Sequence, residues 1–339
     1  MSDIIEVKNL TEVYPGGTKA VDNISFTVRT GEFFGFLGPN GAGKSTTINI
    51  LATLLKKTSG SATVAGLNVD SDAKEIRKVI GVQSQETILD GDLTGRANLM
   101  FQGHLQRMRG NILEKRVAEL LDIVGLTGVA NKKARQYSGG MKRRLSLAAA
   151  LVHKPQLVFL DEPTTGLDPQ SRNKLWEYLE HINKAEGVTI FLTTQYMDEA
   201  DKLCHRLAII DHGQIVVSGS PSELKGQIGG ETITLVLAET ISEDMKEKSN
   251  QLLKATHGVT KIVESNHSFV VYAQNASHLV PEIVKVFNES NIAIDSINLS
   301  SPTLDDVFLR HTGRRIRTEE LVRASSTAKV AGVRGGAYS

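Results

Sequence analysis

Short apolar runs alternate with stretches of helical spacing through the first ~225 residues, the pattern of an α/β unit. Strands are expected at Ile4–Lys8, Ala20–Val28 and Phe33–Leu37. The last of these is apolar throughout, runs into glycine and precedes a helix over Lys44–Leu55. Between residues 94 and 135 the alternation stops. Gly95–Met108 and Asn111–Val124 carry apolar residues at helical spacing with no strand between them, which reads as a helical insertion. With a helix at Lys142–His153 it extends to about residue 150. Strands resume at Gln156–Leu160, Val188–Thr193, Leu207–Asp211 and Ile215–Ser218.

Pro221–Gly230 reads as a short helix and a glycine-marked boundary. Beyond it the pattern predicts a strand at Thr232–Ala238, a helix at Ser242–Thr256 and strands at Lys261–Glu264 and Ser268–Ala273. A helix at Ala276–Glu289 and a strand at Ile292–Leu299 complete the order β-α-β-β-α-β, that of a small ferredoxin-like α+β domain. Three regions are therefore expected: residues 1–228, 229–313 and a flexible, weakly apolar tail over 314–339.

Composition narrows the function classes. With 40% hydrophobic and 23% charged residues the chain can bury a substantial core, and a net charge of +1 gives no general attraction to nucleic acid. The one cysteine, Cys204, excludes an internal disulfide and fits a reducing compartment. The N-terminus lacks the pattern of a signal peptide, and no apolar run reaches the ~18 residues of a membrane span.

Three motifs carry chemistry. Gly38-Pro39-Asn40-Gly41-Ala42-Gly43-Lys44-Ser45-Thr46 fits the P-loop pattern and lies between an apolar strand and a helix. There, glycines let backbone N–H groups turn around phosphate, Lys44 reaches the β- and γ-phosphates, and Ser45 is a ligand for Mg²⁺. The run Gln156–Leu160 ends in Asp161 and Glu162. Asp161 suits Mg²⁺, and Glu162 can polarise a water aimed at the γ-phosphate. Ser138, Gly139 and Gly140 precede a helix, where a hydroxyl and free N–H groups make a second phosphate clamp.

Together these motifs resemble the ATP-binding subunits of ABC transporters, a P-loop NTPase fold with a helical subdomain. Tyr137–Met141 (YSGGM) departs at both ends from the usual signature, LSGGQ. The resemblance implies that this second clamp closes on the ATP of a second such subunit, in a head-to-tail dimer. It also implies that Tyr14 stacks on adenine, that Gln85 senses Mg²⁺ and the attacking water, and that Asp168 touches the partner. Gln83 competes for the register of Gln85, which is preferred because an acidic residue and a loop follow it. Gln195 stands where most of the family has His. Gln can donate a hydrogen bond to a γ-phosphate oxygen but carries no charge, so weaker transition-state stabilisation is expected.

YSGGMKRRL, TTQYMDEAD and Leu304–Gly313 (LDDVFLRHTG) are similar to the daunorubicin-resistance branch, over roughly residues 4–313. That resemblance implies a separate integral-membrane permease, an ABC-2-type exporter of drug-like or lipid-like substrates, and a place at the cytoplasmic face of the plasma membrane. The helical insertion and the loop Glu86–Arg96 are then expected to face the permease. The alternatives are a soluble regulatory ATPase and a nucleotide-gated switch. One P-loop and no sustained heptads argue against the DNA-handling relatives of this fold.

Overall fold

The computed structural model describes residues 2–85, 89–228, 231–237, 243–265, 268–273 and 276–313. The expected tail and the glycine boundary at 229–230 lie outside them, as do the loop positions 86–88. Residues up to Pro221 form one compact unit, and a second begins at Ser222.

Strands β1 (Asp3–Val13), β2 (Lys19–Arg29) and β3 (Phe33–Leu37) lead into helix α1 (Lys44–Leu51). Strands β4 (Ser59–Val64) and β5 (Leu67–Asn68), helix α2 (Ala73–Val79) and strand β6 (Ile80–Gln83) follow. Helices α3 (Gly95–Leu105), α4 (Gly110–Ile123) and α5 (Gly139–Leu151) form the expected helical insertion. The chain then runs through β7 (Leu157–Asp161), α6 (Pro169–Glu186), β8 (Thr189–Thr194), α7 (Met197–Leu203), β9 (Arg206–Asp211) and β10 (Gln214–Gly219).

Two sheets result. The larger has the order β10-β9-β3-β8-β7-β6. Its strands β9, β3, β8, β7 and β6 are parallel, and β10 is antiparallel to β9. Every residue of β3, β7 and β8 is buried, which is why these strands read as unbroken apolar runs. The smaller sheet, β2-β1-β4-β5, is antiparallel. Phe26 of β2 stacks on Phe34 of β3 with centroids 5.8 Å apart, and Phe36, Phe159 and Phe191 continue the same core.

The smaller sheet was only partly expected. β4 (SGSATV) buries just Ala62 and Val64, too little apolar content to stand out. α1 stops four residues short of the expected Leu55, because Thr53 turns to φ +60° and its carbonyl accepts from Arg77. α5 starts at Gly139 and not at Lys142, since Ser138 caps it by accepting from the Met141 amide. α6 was not expected, although its signals are present: Asp168 as cap, Pro169 in the first turn and Gly187 at φ +67° after its end.

In the second unit, α8 (Pro221–Ile228) precedes β11 (Glu231–Leu237), α9 (Glu243–Ala255), β12 (Val259–Ser265), β13 (Ser268–Ala273), α10 (Ala276–Glu289), β14 (Ile294–Ser300) and α11 (Leu304–Thr312). The sheet order is β12-β13-β11-β14 with all neighbours antiparallel, the ferredoxin-like arrangement. Its own core includes Ile233, Leu235, Leu253, Phe269 and Phe287. The motif Leu304–Gly313 forms α11. A capping box of Thr303 and Asp306 starts it, and Gly313 at φ +74° ends it. Among the described residues no helix is long and apolar enough to cross a membrane.

Candidate functional site

Because β3, β6, β7 and β8 run parallel, their carboxyl ends share one edge of the sheet, and each carries a singled-out residue. The P-loop follows β3, Asp161 and Glu162 end β7, Gln195 follows β8, and Gln83 and Gln85 lie at the end of β6. The register sets Leu37 beside Thr194 and Asp161 beside Thr193.

The P-loop is pinned at both ends. The Gly38 amide donates to the Thr194 carbonyl (3.2 Å), and Gly213 donates to Ala42 (3.0 Å). Gly43 caps α1 at φ +104°, and a Cβ there would lie 2.2 Å from the Ala20 carbonyl oxygen, so only glycine fits. Lys44 is buried. Its Nζ donates to the Gly38 (2.8 Å) and Pro39 (3.0 Å) carbonyls and lies 3.1 Å from Glu162 Oε1. Burial pulls the Lys44 pKa down, and Glu162 and Asp161 oppose that. Ser45 is exposed, and Tyr14, at the edge of the loop, shares a 3.2 Å hydrogen bond with Thr46 Oγ1.

The carboxylates are held from several sides. Thr193 Oγ1 donates to Asp161 Oδ1 (2.5 Å), and Thr165 Oγ1 donates to Glu162 Oε2 (3.2 Å). Glu162 takes φ +48°, a left-handed backbone that costs a non-glycine residue about 1–3 kcal/mol. Oxygen donors from Ser45, Asp161 and Gln85 match the preference of a hard divalent cation, so this set fits Mg²⁺.

The structure therefore brings Lys44 and Glu162 into contact, with Asp161 on the same strand end, and joins Tyr14 to Thr46. Among the described residues no hydrogen bond or ion pair joins the second clamp to the P-loop. Ser138 and Gly139 are exposed at the start of α5. A Cβ on Gly140 would lie 3.0 Å from Ser171 Oγ, and Ser171 donates from both its amide (2.9 Å) and its hydroxyl (2.6 Å) to Asp168. Those bonds lower the Asp168 pKa. The clamp and Asp168 are thus neighbours on one exposed edge. Gln85 is exposed and Gln83 buried, its Nε2 3.5 Å from the Arg143 carbonyl. Gln195 is half-buried, and its Oε1 is buried without a hydrogen-bond partner among the described residues. Beside it, Tyr196 lies under the Arg172 guanidinium at 4.5 Å.

Two features escaped the sequence reading. Tyr137 is buried, donates to the Val129 carbonyl (2.8 Å), and sits where a Cβ on Gly95 would be 2.2 Å from its hydroxyl. Arg143 is buried under the site. It had no role in the sequence reading; its place near the start of the signature helix was the available signal.

Comparisons with known proteins agree with this geometry. A family described as "ABC transporter" matches residues 21–165, and one described as "ATP-binding protein DrrA1-3-like, C-terminal domain" matches residues 219–312. The chain is 40% identical to the daunorubicin/doxorubicin resistance ATP-binding protein DrrA of Streptomyces peucetius, covering 96% of this chain and 98% of that one. It is 37% identical to the linearmycin resistance ATP-binding protein LnrL of Bacillus subtilis (strain 168), covering 93% and 100%. Among solved structures, cbiO1 from Clostridium perfringens, part of the ABC transporter complex cbiONQ, superposes with a TM-score of 0.63 at 28% identity, covering 67% of this chain and 92% of that one. The ATP-binding cassette MJ0796, as a post-hydrolysis dimer bound to ADP and Pi, gives 0.59 at 28% identity, covering 64% and 98%.

Proposed function

The chain belongs to the ABC transporter ATP-binding proteins of the DrrA daunorubicin/doxorubicin-resistance type, ATPases that bind ATP and ADP, and we propose that it is the motor subunit of an exporter. One observation carries this reading: the site is divided. Lys44, Asp161 and Glu162 gather at the sheet edge, while Ser138 and Gly139 are exposed and Gly140 half-buried at the start of α5. A second copy, turned head to tail, supplies the missing half to each P-loop.

In that closed pair the amides of Gly41 to Thr46 and the Lys44 ammonium hold the phosphates. Lys44 gives up its carbonyl contacts to do so. Tyr14 stacks on the base. Glu162 polarises the attacking water and takes its proton. Gln195 donates its amide to a γ-phosphate oxygen, and Asp168 meets the partner. Ser45, Asp161 and Gln85 are the residues that would hold Mg²⁺, which when bound neutralises charge on the phosphate oxygens.

The motor drives a separate permease at the cytoplasmic face of the membrane. An open groove of about 870 Å³ between α2 and helices α3 and α4 supports such a contact. It is lined by Lys78, Arg107, Lys115 and Lys154 beside the exposed Leu105 and Ile112. The resistance proteins it resembles support a drug-like cargo. ATP hydrolysis measured on the chain alone and on its co-purified complex with the permease in vesicles tests the reading. Faster turnover in the complex, responsive to an anthracycline, is expected. Equal turnover and no complex would favour a soluble regulatory ATPase.

A further inference from the structure

Arg143 is the fifth residue of α5 and is only 6% exposed, yet it forms no side-chain ion pair among the described residues. Its guanidinium is spent on backbone carbonyls. Nε donates to Pro163 (2.8 Å), Nη1 to Gln85 (2.6 Å) and Ser84 (3.3 Å), and Nη2 to Glu162 (2.5 Å) and Asp161 (3.5 Å). These oxygens belong to two separate segments, the ends of β6 and β7. Arginine alone among side chains offers enough N–H groups in a fixed plane to bridge them. Burial pulls its pKa down, and the carboxylates of Asp161, Glu162 and Glu199 oppose that.

Two further facts give the cage a direction. The Glu162 carbonyl that Arg143 grips follows the φ +48° backbone, a conformation that persists only when its surroundings fix it. And Arg143 lies about one and a half turns, about 7.5 Å of helix, from the exposed Ser138 at the N-terminus of the same helix. A rigid helix therefore joins the clamp presented outward to the backbone on which the hydrolytic carboxylate stands.

We propose that Arg143 is a positioning residue for hydrolysis. It locks the Glu162 and Gln85 backbones to the signature helix, so that engagement of Ser138–Gly140 sets the aim of Glu162. The proposal rests on the motor reading of Glu162 and of the second clamp. It concerns placement and not nucleotide affinity, because none of the carbonyls that Arg143 bonds among the described residues belongs to the P-loop.

Full-length Arg143→Met and Arg143→Lys test it beside Glu162→Gln. Steady-state ATPase gives kcat and KM, and titration with a fluorescent ATP analogue gives affinity. Melting with and without ATP reports folding. A displaced carboxylate costs about a hundredfold in rate. Arg143→Met is therefore expected to lose about that much in kcat. Its KM and analogue affinity should stay within about threefold, its ATP-induced rise in Tm intact. Lys, with three donors for five carbonyls, should recover part of the rate. Unchanged kcat in both variants would overturn the proposal, as would a fall matched by lost affinity. If Met does not fold, the Lys variant alone decides by the same kcat-against-KM split. A Glu162→Gln enzyme that still turned over normally would instead remove the motor reading beneath it.

Discussion

Lys44 shows how a charged residue is kept usable inside a protein. Its ammonium is buried, and two carbonyls and Glu162 stand in for water around it. In the proposed function the same three partners yield when phosphate arrives. Lys44→Ala is expected to lower ATPase activity by about two to three orders of magnitude, with weaker nucleotide binding by fluorescence titration. Gln195 makes the opposite case. Replacing it with His restores a group able to carry charge, and turnover should rise by up to about tenfold in steady-state assays; no change or a loss would show Gln195 to be a spectator. The P-loop, Asp161 and Glu162 were legible because each requires particular residue types at fixed spacing. Arg143 was not, because its partners are carbonyls, which every residue has, and only the fold says which ones come near.

At the scale of elements, α5 and its neighbours explain a departure from the usual signature. Tyr137 stands where Leu is usual, and Gly95 leaves space for its hydroxyl. Gly95→Ala is expected to destabilise by about 1–3 kcal/mol in chemical denaturation, through overpacking. In the Gly95→Ala/Tyr137→Leu pair much of that should vanish, a non-additivity that marks direct contact. The seam between α5 and β6 also sets a pH dependence. His153 donates from Nε2 to the Ile80 carbonyl (2.9 Å), and burial pulls its pKa below the ordinary 6.5, with Arg116 adding to the effect. The unfolded chain therefore takes up a proton that the folded one resists. The stability from this group is complete above about pH 6.5 and falls as pH drops below it. Tm followed from pH 7.5 to 5 should decline, and His153→Gln, which keeps a donor for Ile80, should flatten that decline. The helices of the insertion and the parallel strands were readable from apolar periodicity, whereas the short helices α2 and α7 were not assigned. β4 and α6 were not assigned, β4 because its strand is mostly polar, α6 because its long polar face masks the apolar stripe of Leu175, Leu179 and Ile182.

At the scale of the molecule, two compact units carry separate cores. A chain ending at Gly229 is expected to bind an ATP analogue within about threefold of full length, since the nucleotide residues all lie in the first unit. The order of elements in the second unit was legible because alternating burial along its strands leaves a period of two. A single chain does not display the proposed closed site, half of which a second copy would supply. Light scattering on the Glu162→Gln protein with and without Mg·ATP measures this directly. The account predicts a monomer that becomes a dimer when ATP is added, and that reverts to a monomer when Ser138 is also changed to Arg. A Glu162→Gln protein that binds ATP yet stays monomeric, with its permease supplied, would contradict it.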